Sequence, residues 1–203
     1  RIGFFLLGNF LFSSVISAFA VILLQIVSDE YQIIFFLYAI LAYIGLEVLV
    51  RMKFFRHGLD DAFLLSAQLS FLIGIGILTE AVLPVFVTML VLGVFFAIRF
   101  INTISAIMAF IGLVGIFFNL IVEHDFMPKF YLSFVGLILA ILVYFFVSHL
   151  NKNQNFYTYF KTLDTIRVAS LLLGYLSMNY LVVRELSESL MNLTIINTSD
   201  VPL

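Results

Sequence analysis

Few side chains in this 203-residue chain are equipped for chemistry: it holds 10 Lys and Arg, 12 Asp and Glu, 3 His and no Cys. Asp60 and Asp61 are adjacent, and paired carboxylates can hold a metal ion or share a proton. They also open an apolar run, where acidic residues stabilise a helix N-terminus by about 0.3–1 kcal/mol each. That position favours capping. Glu47 stands four residues before Arg51, the spacing and order of a local helical ion pair. Asp164 stands three residues before Arg167. Arg167 falls about one turn inside an apolar segment, so it either snorkels to headgroups or faces a carboxylate within the bundle. Glu47, Arg51, Asp60, Asp61, Asp164 and Arg167 are therefore the candidate polar cluster, all near one depth of a membrane.

The remaining reactive types are thinly spread. His57, His124 and His149 fall at the ends of apolar segments, and no two histidines have metal-ligand spacing. The absence of Cys removes disulfides, thiolate metal sites and thiol nucleophiles. No glycine-rich phosphate loop and no nucleophile elbow occurs. The sequence predicts no catalytic, metal-binding or cofactor-binding residue and no cofactor. A net charge of −2 without a basic patch speaks against a nucleic-acid partner.

The segments that carry these residues set the class. Hydrophobic residues make up 64% of the chain and charged residues 11%, with a mean hydropathy of +1.19. A soluble domain is about half apolar and a quarter charged. The chain reads as an all-α polytopic transmembrane helix bundle of about seven spans. They run approximately over 2–27, 31–50, 59–79, 82–98, 101–122, 129–150 and 162–183, each near the roughly 20 residues that cross a bilayer. Pro84 fits a first helical turn. A helix through both the fourth and fifth segments would be about 60 Å long, so the chain must turn near Arg99. Residues 1–183 form the bundle. Residues 184–203 form a polar tail, and the apolar Val201-Pro202-Leu203 predicts a further element beyond it.

Basic residues orient the bundle. With the N-terminus cytoplasmic, Arg1, Arg51, Lys53, Arg56, Arg99, Lys152, Lys161 and Arg167 lie inside, and only Lys129 and Arg184 outside. That is a strong positive-inside bias, and it places the C-terminal end outside. The linker 151–161, with Phe156, Tyr157, Tyr159 and Phe160, suits the inner interface. Two glycosylation-type triplets, at Asn192 and Asn197, lie on the outside. However, the Cys-free, Phe- and Ile-rich composition points to a bacterial inner membrane.

The uncharged polar residues within spans are few. Asn9, Ser13 and Ser17 share a face, and Gln68, Asn119 and Asn179 are scattered. Gly74, Gly76, Gly112 and Gly115 permit close helix approach. Leu59-Asp60-Asp61 and Leu163-Asp164-Thr165 each open a span, as a parallel repeat would, but Asp is a preferred N-cap and helix starts alone account for the match. The function that fits is a structural or accessory membrane domain, with the lipid bilayer and a membrane-protein partner or self-association as its contacts. The alternative is a small-solute transporter or channel-like domain, which predicts charged groups at mid-membrane.

Overall fold

Apolar runs of about 20 residues leave the backbone one solution in lipid, because each N–H and C=O must be satisfied within its own segment. The computed structural model takes that solution. It describes residues 3, 7, 8, 10, 11, 14, 31–52, 58–123 and 131–199, with the backbone alone at 31, 32, 155, 185 and 188–199. Among them there is no strand. Helix α1 spans Tyr31–Arg51, α2 Leu59–Thr79, α3 Val82–Phe100, α4 Thr103–Glu123, α5 Tyr131–Asn151 and α6 Phe160–Ser199, with a 3-10 turn over Gln154–Tyr159. All six helices contain a stretch long and apolar enough to cross a membrane, and the chain is an integral membrane protein on that basis. The first expected span, 2–27, lies almost wholly outside the described residues.

Local sequence explains the breaks. Glu80 takes a left-handed conformation (φ 49°) and its N–H closes α2 on the Gly76 carbonyl at 3.1 Å. Pro84 sits in the first turn of α3, where its missing N–H has no helical partner to lose. Ile101, at φ 51°, reverses the chain between α3 and α4, near Arg99 as the hydropathy requires. The last helix runs past the expected span: its apolar stretch ends at Arg184, but the helix continues to Ser199, 40 residues in all, about twice the hydrocarbon thickness.

The chain divides into two compact units, Arg1–Asn119 and Leu120–Leu203. In the first, α1 and α2 form an antiparallel pair. Gly45 faces the Phe63 ring, and Gly74 faces the Phe36 ring, which packs edge-on against Phe71. Ala42, Leu46, Leu64, Ala67, Phe96 and Phe100 make a buried core that α3 completes. The α3–α4 crossing is tighter still. A Cβ on Gly93 would lie 2.6 Å from the Ala109 nitrogen, and one on Gly112 would lie 2.7 Å from the Leu90 nitrogen. Both neighbours are backbone, so these helices touch main chain to main chain, as small residues permit in lipid. In the second unit α5 and α6 pair antiparallel, with Gly174 against Ala140 and Leu137.

Candidate functional site

The polar side chains of the first unit gather where α1 ends, α2 begins, α3 ends and α4 begins. On α1, Glu47 accepts hydrogen bonds from Arg99 Nη2 at 3.1 and 3.4 Å and from Tyr43 Oη at 3.1 Å. Arg99 is the last basic residue of α3, and its guanidinium also lies 5.8 Å from the Phe100 ring centroid. The pair is half sheltered: the Glu47 side chain is 21% exposed and that of Arg99 55%. Its partner is thus 52 residues away, and among the described residues no ion pair joins Glu47 to Arg51.

The adjacent aspartates do different work. Asp60 is buried and accepts from the Gly58 N–H at 2.9 Å, holding the left-handed entry into α2 (Gly58 φ 98°). Asp61 accepts from Asn102 Nδ2 at 2.7 Å. The Asn102 side-chain Oδ1 in turn accepts from the N–H groups of Ile104 and Ser105 at 2.8 and 3.1 Å, which caps α4. Asn102 therefore ties the start of α4 to the start of α2 with one side chain. Deeper in the unit, the Ser105 hydroxyl donates to Gln68 Oε1 at 3.3 Å. Both residues are fully buried, and Gln68 Nε2 has no partner. Between α1, α2 and α3 lies an apolar cavity of about 280 Å³, lined by Ala39, Ala67, Phe71, Leu92 and Phe96 among others.

Of the six candidate residues, the structure brings Glu47, Asp60 and Asp61 to this one end, where Glu47 bonds Arg99, Asp61 bonds Asn102 and Asp60 bonds the Gly58 N–H. Arg51 ends α1 and is exposed. Asp164 and Arg167 belong to the second unit, where they pair with each other one turn apart. The two Leu-Asp motifs sit differently: Leu59 starts α2, whereas Leu163 follows the α6 start at Phe160. His57, His124, Lys53, Arg56 and the Asn9-Ser13-Ser17 stripe lie outside the described residues. No group of three His, Asp or Glu suited to a metal occurs among the described residues.

No protein-family model matches the chain, and no curated protein or solved structure is significantly similar to it. The site therefore stands on its own geometry. Sequence reading missed Arg99, Asn102, Tyr43 and Ser105. Asn102 carried a usable signal, an Asn at the N-cap of the run beginning at Thr103. Arg99 looked like a loop charge, because nothing local marks a partner 52 residues away.

Proposed function

We propose that this chain is a structural or accessory membrane domain whose polar groups hold helices together and do not line a solute path. One observation carries the reading. Glu47–Arg99, Asp61–Asn102 and Gln68–Ser105 each bridge two different helices, while the cavity beside them is apolar. A path for a polar solute needs polar walls or charged groups at depth. The candidate polar cluster, in this reading, is a clamp at the cytoplasmic end. The ends of α1 and α3 that carry Arg51 and Arg99 share that side, which supports its being the cytoplasmic one. Seven spans, a cytoplasmic N-terminus and an outside C-terminal end belong to the same proposal. The lipid bilayer is the immediate partner, and the bacterial inner membrane is the proposed location.

The alternative, a small-solute transporter, has Gln68 Nε2 in its favour, a buried donor without an acceptor. The natural absence of Cys allows a direct test. Gln68→Cys and Ser105→Cys should stay unreactive toward a charged methanethiosulfonate reagent in sealed and in permeabilised vesicles. Fast modification of either would mean that water reaches the interior, and the transporter reading would replace this one.

A further inference from the structure

The apolar cavity of the first unit is a groove with one open side. Ala39, Ala67 and Phe96 form its floor and are buried. Ile40 on α1 and Phe95 on α3 form its lips and are 53% and 47% exposed. The two lip helices run parallel, since Glu47 near the end of α1 bonds Arg99 near the end of α3. Antiparallel α2 backs the groove. Tyr43 lines it and donates to Glu47.

Helical spacing puts charge directly above these apolar walls. Glu47 stands one turn above Tyr43, Arg51 one turn above Glu47, and Arg99 one turn above Phe95. The Glu47–Arg99 pair therefore crosses from lip to lip about 6 Å beyond the groove. Both bonds to Glu47 come from Nη2 of Arg99, whereas a guanidinium carries donors on three nitrogens. Arg51 is exposed, and no ion pair engages it among the described residues. Two guanidinium groups thus stand over one carboxylate at this mouth. Asp60 and Asp61 face other partners, the Gly58 N–H and Asn102.

We infer that this groove is a binding site for one anionic phospholipid. An acyl chain lies between Ile40 and Phe95, and the phosphate accepts from the open donors of Arg99 and from Arg51. An apolar slot that opens toward hydrocarbon suits an acyl chain and gives a polar solute nothing to bond. The surplus positive charge at its mouth suits a headgroup with one net negative charge. A zwitterionic headgroup would instead bring its own cation beside Arg51. The site adds a ligand to the accessory reading and does not rest on it. Modification of Gln68→Cys would overturn that reading and leave the groove as it is.

The chain has no Trp, so a single introduced Trp reports on one place. Phe95→Trp puts it on the lip of the groove. Val94→Trp is the control, at the same depth on α3, 42% exposed and outside the groove. Each variant is placed in phosphatidylcholine vesicles with phosphatidylglycerol as the minor component. Brominated acyl chains, which quench Trp on contact, are carried by one lipid or by the other. Bromine on phosphatidylglycerol should quench Phe95→Trp several-fold more than Val94→Trp, and bromine on phosphatidylcholine should show no such excess. Two changes made in the Phe95→Trp chain should bring the excess down to the control level. Ala39→Leu fills the groove without altering charge. Arg51→Gln removes the surplus charge without breaking an ion pair of the described residues. Equal quenching of the two reporters by brominated phosphatidylglycerol, or an excess that survives either change, would overturn the site.

Discussion

Replacing Gly93 by Ala tests the closest helix contact in the first unit. The added Cβ would lie 2.6 Å from the Ala109 nitrogen, 2.8 Å from the Ala109 Cα and 2.8 Å from the Ser105 carbonyl oxygen. All three are backbone atoms of α4, so no side chain can swing away. The helices must separate until those contacts reach ordinary van der Waals distance. Overpacking of this kind costs about 1–3 kcal/mol. Against that, Ala is favoured over Gly inside a helix by about 1 kcal/mol. The balance at Gly93 is a loss of about 0–2 kcal/mol. Gly76 supplies the control. A Cβ there would meet only Val85 Cγ2 at 3.6 Å, an ordinary contact, so Gly76→Ala keeps the gain of about 1 kcal/mol. The two variants should therefore differ by about 1–3 kcal/mol, several degrees in melting midpoint for a chain of this size. The chain has no Trp and no Cys, so far-UV circular dichroism in detergent is the suitable melting assay. If Gly93→Ala melts with or above Gly76→Ala, α3 and α4 do not meet backbone to backbone at Gly93.

Two other substitutions probe the polar end and the orientation. Asn102→Ala removes the α4 cap and should cost about 0.5–2 kcal/mol. Asn102→Asp keeps a capping oxygen but turns a donor toward Asp61 into a second carboxylate, so it should also lower the melting midpoint, and adding Asp61→Asn should restore it. A midpoint unchanged by Asn102→Asp alone would remove Asp61 as the Asn102 partner. For orientation, His57→Cys in the Cys-free background should react with a membrane-impermeant maleimide only after inverted vesicles expose the cytoplasmic side. Reaction from the outside of intact cells would reverse the proposed topology.

Much of the architecture could be read along the chain because lipid leaves the backbone so little choice. Long apolar runs must be helices, and Pro84 and Arg99 mark where they break. The expected spans from 31 onward correspond to α1 through α6 nearly residue for residue at most ends. The last apolar span ends at Arg184, close to the expected Val183, and the helix continues past it to Ser199, because polar residues can extend a helix beyond the hydrocarbon.

What composition and periodicity decided is the class: an integral membrane chain of apolar helices, because burial in lipid depends on sums over about 20 residues. What only tertiary structure decided is which distant groups meet. Local spacing offered Arg51 to Glu47, and the fold gave it Arg99 on another helix. Asp61 read as half of a carboxylate pair, and the fold turned it to Asn102, 41 residues away. Gly76, expected to permit close helix approach, makes only an ordinary contact, whereas Gly93, which was not singled out, lies on the backbone of a neighbouring helix. Sequence sets which residues stand one turn apart on a helix, but not whether they pair with each other or reach another helix. Contacts between helices depend on the crossing angle and register of whole elements, and no short-range pattern encodes those.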